Sequence, residues 1–406
     1  MKAIRILTIS LLLVGITLGA WAAGETGYGD ITDILKTFAD PNTGLTSFPT
    51  LLVSMGGMAE GMGTAYAAVS LDSGFIESNP AGSSVLANSE LAFYHHNWIA
   101  DSNLEGVVYT VRFNDLGIGL GGKFLYVPFT AYNDWGAAGA SDYISETVGT
   151  VNISYNFFSS YYFTGVAAGA NVKVAYRSIP PVFALNQSAL AVMADMGLRT
   201  SFNFLKFYNA QAKNFSVGLV VKNLGYSTLA DETLPQTLTA GVAWSPLRPW
   251  TIAVDYNLPF SFPGQPPAAL GTIAAGTTIA VASFLSVQGG VLVSPSNPKV
   301  SVGAALGIGN LALTMNYNLD LSGSLNPVDK FSVEAKFVLG DSGRGEIARK
   351  ADDLYLQGVE AFAAGNLPRA IELWKQVLLL DPRYLPAADN IRTAQESLSL
   401  QGAVLK

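Results

Sequence analysis

The sequence predicts an all-β transmembrane barrel of about 14 antiparallel strands, closed inside by an N-terminal hatch and followed by a small C-terminal α-helical domain. Three observations predict it. Apolar and polar residues alternate with period two through most of the chain. Half the residues are hydrophobic and only 13% are charged, against about 25% charged in ordinary soluble domains. The charge is also unevenly placed: 17 of the 66 residues from Asp341 to Lys406 are charged, against 36 in the 340 before them.

The elements follow in chain order. Residues 1–23 read as a secretory signal peptide: Lys2 and Arg5 start it, Ile6 to Leu18 form its apolar run, and Ala20, Ala22 and Ala23 offer small residues for cleavage. The run is short for a spanning helix. The chain has no cysteine, which excludes a lipoprotein acylation site, disulfides and cysteine-bound metals. Its net charge of −7, with no basic run, argues against nucleic acid as a partner.

Residues 24–89 do not read as strands. Gly56-Gly57-Met58-Ala59-Glu60-Gly61-Met62-Gly63 is rich in small residues and leads through Tyr66 and Asp72 to Asn79-Pro80-Ala81-Gly82. A barrel of this strand number has a lumen that wall side chains cannot fill alone. A small-residue segment ahead of the first strand can fold inside and close it.

Residues 90–340 are the barrel. Trp250, Ile252, Val254, Tyr256 and Leu258 share one parity, and Thr251, Ala253, Asp255 and Asn257 the other. Val151 to Phe157, Leu311 to Leu319 and Phe331 to Leu339 repeat the pattern, so each segment has one greasy and one polar face. The polar face is mostly Gly, Ala, Ser, Thr and Asn, with Lys173, Arg177, Asp195, Arg199 and Asp255 among them. That suits a crowded or water-filled lumen opposite lipid, where an Arg at mid-membrane costs roughly 2–4 kcal/mol. Aromatics gather near strand ends (Tyr155, Phe157, Tyr176, Trp244, Trp250, Tyr317) as in interfacial girdles. The strands are expected near 90–98, 104–113, 116–127, 146–157, 162–177, 188–203, 213–223, 235–245, 248–258, 271–281, 284–293, 298–308, 310–320 and 329–339. Connections after even strands are mostly tight and those after odd strands longer, with 204–212 and 294–297 as exceptions. Short periplasmic turns and longer outer loops give this asymmetry, and an even strand count returns both ends to the periplasm. The uncharged stretch from Ala268 to Pro298 could be a membrane helix, but its Thr/Gly content and period-two pattern favour a hairpin.

Residues 341–406 change to helical period. With Ala351 as first position, Gly358, Ala370, Trp374 and Pro382 match tetratricopeptide (TPR) spacing, and Ala361 departs from it where a Tyr is usual. Helices are expected over 346–364, 367–380 and 384–398. A single repeat cannot bury its own apolar face, so the tail packs under the barrel, self-associates or docks a periplasmic protein.

Gly61-Met62-Gly63-Thr64-Ala65-Tyr66-Ala67-Ala68, Asp72 and Asn79-Pro80-Ala81-Gly82 resemble the N-terminal hatch of the FadL-type long-chain fatty acid transporters. The resemblance extends to FadL-like spirochaete proteins, some with a C-terminal helical repeat. It covers roughly residues 50–340. It implies a bacterial outer-membrane protein with its tail in the periplasm, a lumenal plug holding Asp72, Asn79, Pro80, Ala81 and Gly82, and a hydrophobic ligand, a lipid or fatty acid. Such ligands diffuse passively through a gap in the barrel wall, which cannot be matched here residue by residue. Ser73 departs from the family, which often has a second acidic residue there.

A lining of Ala, Val, Gly, Tyr and Thr would suit an apolar ligand with a polar end, and Lys173, Arg177 or Arg199 could hold its carboxylate; the bland reading of these three is a lumenal salt bridge or a solvated charge. No cofactor, metal site or enzymatic constellation is expected. His95 and His96 are the sole histidines; as strand neighbours they point to opposite faces and cannot share a metal. Two rival functions stand beside transport: a barrel acting as assembly or shuttle factor for secreted proteins with the tail as binding module, and a barrel lipid hydrolase using a histidine.

Overall fold

The structure is a computed structural model describing residues 42, 45–99, 101–133, 135–183, 185–208, 212–229, 233–263, 265–294, 298–321 and 329–404. The signal-peptide segment lies outside the described residues, as does the hatch region before Asn42.

Fourteen antiparallel strands close into one barrel, each paired with its sequence neighbours and the first with the last. They are β1 Ser89–Asn97, β2 Asn103–Phe113, β3 Leu116–Tyr132, β4 Ala138–Phe157, β5 Val166–Ser178, β6 Ala189–Phe202, β7 Phe215–Ser227, β8 Thr237–Leu247, β9 Trp250–Pro259, β10 Thr272–Ala282, β11 Leu285–Val293, β12 Lys299–Ile308, β13 Leu311–Asp320 and β14 Lys330–Gly340. Closure runs from Ser89 opposite Gly340 to Asn97 opposite Phe331. No strand edge is left to hydrocarbon, which has no water to satisfy it. β1 begins and β14 ends at the rim of tight turns, called here the turn end; the opposite rim is the loop end, where Asn42 and Thr46 contact the long loops at Ala268 and Thr233.

Burial is inverted relative to a soluble sheet. On β5, Val172 is 57% exposed while its neighbour Lys173 is 8% exposed. Ile153, Tyr155, Val192 and Met196 face outward, and Asn152, Ser154, Asp195 and Arg199 are buried inside. An apolar outer belt around an enclosed polar interior is the surface a bilayer selects. Among the described residues no helix is long and apolar enough to cross a membrane. This is a membrane-spanning barrel of the outer-membrane type.

Four strand boundaries differ from expectation by four residues or more. β3 and β4 extend through the expected loop at 128–145, pairing Pro128 with Tyr143 and Thr130 with Ser141. Most side chains there are exposed, so backbone pairing holds the hairpin with few side-chain contacts, Thr130 with Ser141 and Phe129 with Phe183, and leaves no periodicity to read. β5 starts at Val166 rather than 162: residues 162–165 stay in the turn, which ends on Gly165 at φ 94° and whose Tyr161 ring meets Tyr384 at 5.0 Å. β7 continues past Asn223, where the β6–β7 register shifts between Ala194 and Met196 and Asn223 takes φ 60°. Asp195 mends the interruption by accepting the Asn223 backbone N–H at 2.8 Å.

Before the barrel come short helical turns at Pro49–Leu52 and Pro80–Val85 and two single-turn helices, α1 (Gly57–Gly61) and α2 (Phe75–Ser78). After it come α3 (Arg344–Ala363), α4 (Leu367–Leu380) and α5 (Leu385–Val404).

Candidate functional site

The segment from 45 to 88 touches the inner face of every strand and therefore lies within the lumen. Around the ring, the Ser73 N–H donates to Glu90 of β1 at 2.8 Å, Lys123 of β3 meets Glu77 at 2.6 Å, and Asn171 of β5 donates to the Ile76 carbonyl at 2.9 Å. Asp255 of β9 accepts the backbone N–H groups of Tyr66 and Ala67, both at 2.8 Å. Asn316 of β13 donates to the Gly57 carbonyl at 2.9 Å, and Lys336 of β14 pairs with Asp72 at 2.9 Å. Glu60 in α1 takes bonds from Asn318 at 2.6 Å and from Ser332. A plug with little regular secondary structure has many unpaired backbone groups, and each must find a partner. The wall side chains supply them.

The Asn-Pro-Ala-Gly motif concentrates several of these moorings. Asn79 donates to the Ala67 carbonyl at 2.8 Å and to the Leu198 carbonyl of β6 at 3.0 Å, while its oxygen accepts the Ala81 N–H at 3.1 Å. One side chain thus ties two plug segments to the wall and caps the turn that follows, with Pro80 at the helical start its fixed φ favours. The Pro80 carbonyl accepts from Asn152 of β4 at 2.9 Å. Gly82 lies against Phe75, where an added Cβ would come within 2.4 Å.

The wall makes room with glycine. A Cβ on Gly169 would lie 2.3 Å from the Pro80 carbonyl oxygen, one on Gly218 2.3 Å from that of Ala67, and one on Gly276 2.2 Å from that of Met62. These glycines sit on the lumenal parity and mark where plug backbone packs directly on wall backbone. Ser73, the departure from the hatch pattern, stands between two carboxylates. Its N–H donates to Glu90, its hydroxyl lies 3.3 Å from Glu334, and Tyr94 donates to it at 2.9 Å. An acid at 73 would add a fourth carboxylate beside these two and Asp72.

Two spaces flank the plug. On its loop-end side is a cavity of about 70 Å³ bordered by Leu51, Met55, Ile76, Val148, Lys173 and Lys222. On the turn-end side is a vestibule of about 630 Å³ whose plug-side floor includes Met58, Val69, Leu71 and Val85, with Arg199 in its wall. The three expected carboxylate-binding cations are therefore not brought together. Lys173 pairs with Asp195 at 2.8 Å. Arg177 pairs with Glu146 at 3.0 Å and lies over the Phe48 ring at 4.8 Å. Arg199 donates its Nε to the Ala68 carbonyl at 2.8 Å and has no carboxylate within ion-pair reach among the described residues. Lys222, which the sequence reading did not single out, borders the loop-end cavity and likewise shows no hydrogen bond or ion pair among the described residues. Its signal was the lumenal parity of β7, hidden by the bulge beside it.

The two histidines face opposite ways. His95 lies outside, 2.8 Å from Glu105, and His96 lies inside with Nδ1 2.8 Å from the Ser54 carbonyl. No group of three metal-capable side chains occurs among the described residues.

A family model described as Uncharacterised protein family (UPF0164) matches residues 30–342, more than three quarters of the chain. The chain belongs to that family. A UPF0164 protein of Treponema pallidum (strain Nichols) is 27% identical over 395 residues, covering 94% of this chain and 88% of its own. Among solved structures, a mutant of the TodX monoaromatic hydrocarbon channel aligns with a TM-score of 0.46 and 12% identity, over 70% of this chain and 97% of that one. The Pseudomonas putida toluene transporter TodX aligns with a TM-score of 0.42 and 13% identity, over 69% and 96%.

The UPF0164 match ends at residue 342, so α3 to α5 lie beyond it, although the Treponema relative covers too much of the chain to stop there. The tail has its own small core. Gly358 of α3 packs on Trp374 of α4, where a Cβ would meet the indole nitrogen at 2.3 Å. Trp374 and Ala370 are fully buried, and the indole donates to the Tyr355 carbonyl at 3.2 Å. Pro382 lies in the exposed turn between α4 and α5. The tail sits against the turn end: Arg383 pairs with Asp115 at 2.8 Å, and Arg344 donates to the Ala87 carbonyl at 2.6 Å where the plug leaves the lumen.

Proposed function

We propose that this UPF0164 protein carries hydrophobic compounds, single-chain fatty acids foremost, passively across a bacterial outer membrane, with its tail on the periplasmic side. The observation that carries this reading is the plug: it is seated backbone to backbone on the wall, and its exposed floor is apolar. Ions and sugars need a continuous wetted path, which a plug moored to all fourteen strands does not offer. An amphiphile needs an apolar surface and one polar anchor. Each flanking space supplies apolar plug residues beside a cation without a carboxylate partner, Lys222 on one side and Arg199 on the other. Passage then requires the plug to shift, and its moorings are single hydrogen bonds and ion pairs that can be exchanged one at a time.

The test is uptake of radiolabelled oleate by cells whose outer membrane lacks its own fatty acid channel and displays this protein. Oleate uptake should rise well above the empty-vector level while permeability to a disaccharide stays at background. Unchanged oleate uptake with a correctly folded barrel, or a rise in disaccharide permeability, would refute the carrier reading.

A further inference from the structure

We infer that the turn-end vestibule contains a binding site for the carboxylate of a single-chain amphiphile, with Arg199 as its anion-holding residue. The inference rests on the carrier reading for its ligand class and extends it to a place and a residue.

Arg199 lies on β6 with only 7% of its surface exposed. A guanidinium withdrawn from water is costly unless its charge is met. Other lumenal cations are met by carboxylates: Lys173 by Asp195, Arg177 by Glu146, Lys336 by Asp72. Arg199 gives one N–H, from Nε, to the Ala68 carbonyl. Its two terminal nitrogens have no acceptor among the described residues, and they are not sealed away from the cavity. A planar pair of N–H donors left open in this way is the geometry that grips a carboxylate through two parallel hydrogen bonds.

The surroundings fit the rest of such a ligand. The vestibule's four cations, Arg112, Arg199, Lys213 and Lys336, outnumber its two carboxylates, Asp72 and Glu90. Asp72 is already engaged by Lys336 and Glu90 by the Ser73 N–H. The remaining field favours an anion. The plug floor of Met58, Val69 and Leu71, with Leu71 about half exposed, offers hydrocarbon contact beside the guanidinium. A volume near 630 Å³ falls within the ~300–1,000 Å³ range of small-ligand sites. Ionisable residues kept at membrane depth mark ligand paths by default.

The test uses the full-length protein in phosphatidylcholine nanodiscs, with octanoate and octan-1-ol as water-soluble probes and empty nanodiscs subtracted in calorimetric titrations. Arg199→Gln should weaken octanoate binding at least about tenfold, the loss expected for a charge-assisted bidentate contact. Octan-1-ol binding should change less than twofold, and Arg199→Lys should recover part of the octanoate loss. Because Arg199 also moors Ala68, Ser216→Ala serves as control. It removes the second bond to that carbonyl, 2.9 Å long, without touching the charge, and should leave octanoate binding within about twofold. A diazirine-bearing octanoate should label peptides containing Leu71 or Phe215. Equal losses for octanoate and octan-1-ol, a comparable loss in Ser216→Ala, or labelling confined to the loop-end cavity would overturn the inference. So would phosphatidylglycerol binding at this site in place of octanoate. The two readings fail separately. Oleate uptake with octanoate binding indifferent to Arg199 removes the site alone; Arg199-dependent binding without oleate uptake removes the carrier reading and leaves the site.

Discussion

Replacing Asn79 by Ala should unseat the plug without unfolding the barrel. The substitution deletes the bonds to the Ala67 and Leu198 carbonyls, at 2.8 and 3.0 Å, and the one from the Ala81 N–H, at 3.1 Å. Each buried bond contributes about 1 kcal/mol net, and a partner left unsatisfied in the interior costs a further ~1–3 kcal/mol. Since neighbouring losses do not add fully, about 3–4 kcal/mol is the expected penalty on plug seating. At 1.4 kcal/mol per factor of ten, that raises the unseated fraction by roughly two to three orders of magnitude. The barrel ladder itself loses nothing, because Asn79 contributes no strand pair. Hydrogen exchange in lipid nanodiscs reads this directly. Amides of Tyr66, Ala67 and Ala81 should lose protection by about a hundredfold or more, while amides of β9 to β13 stay unchanged. Planar-bilayer recordings should show openings absent from the parent. Asn79→Asp should be no better, since it keeps the acceptor for Ala81 but turns a negative oxygen toward two carbonyls. Protection at these amides within threefold of the parent, with a silent bilayer, would refute the claim that Asn79 is a principal mooring.

Further outcomes follow from the same geometry. Gly169→Val sets side-chain carbon against the Pro80 carbonyl, 2.3 Å from the new Cβ; overpacking of ~1–3 kcal/mol or more should expel the plug, read as new protease cleavage between 66 and 85 on a barrel that keeps its heat-modifiable gel mobility. Val172→Arg, on the outward face midway along β5, should destabilise the barrel by about 2–4 kcal/mol in urea titrations from lipid vesicles, and an unchanged midpoint would remove that face from the bilayer. Asp341 accepts the Gly345 and Gly343 N–H groups at 2.7 and 2.9 Å, and the first of these bonds chiefly holds its carboxyl below the ordinary range. Its support for the start of α3 is therefore present above about pH 4, the unperturbed value, and is lost as pH falls through the depressed one. Protection of the Gly345 amide, corrected for intrinsic exchange, should persist at pH 4 and be missing at every pH in Asp341→Ala.

The barrel was legible because lipid on one side and an enclosed interior on the other impose a strict two-residue rhythm, and that rhythm survives even where single strands are short. It failed where the constraint lapses. The 128–145 hairpin stands beyond the apolar belt, so nothing forces its side chains to alternate. Residues 162–165 read as the start of β5, but they lie in the turn beside Tyr161, whose ring meets Tyr384 of the tail. The plug was legible only as an absence of strand pattern combined with the Asn79 motif. Its moorings on Glu146, Asn152, Asn171, Asp255 and Asn316 were on the polar parity, yet sequence gives no measure of which lumenal polar residue meets which plug group. The lumenal glycines carried a readable signal: Gly169, Gly197, Gly218, Gly241, Gly276 and Gly290 all occupy inward positions, where a wide empty lumen would tolerate larger residues.

The same observation decides how the lumenal charges should be understood. Charged residues inside a barrel ordinarily suggest an aqueous channel. Here Glu146 serves the Thr50 N–H and Arg177, Lys123 serves Glu77, Asp255 serves two plug amides, and Lys336 serves Asp72. These charges are spent on holding a backbone that has no ladder of its own, and water has little claim on them. Arg199 fits that account only through its Nε, which serves the Ala68 carbonyl, and Lys222 does not fit it; neither meets a carboxylate among the described residues. They stand on opposite sides of the plug, one in each flanking space. A cation left unmatched at membrane depth costs free energy that a purely structural plug does not recover. A plug that passes an anionic amphiphile from one space to the other would need one on each side.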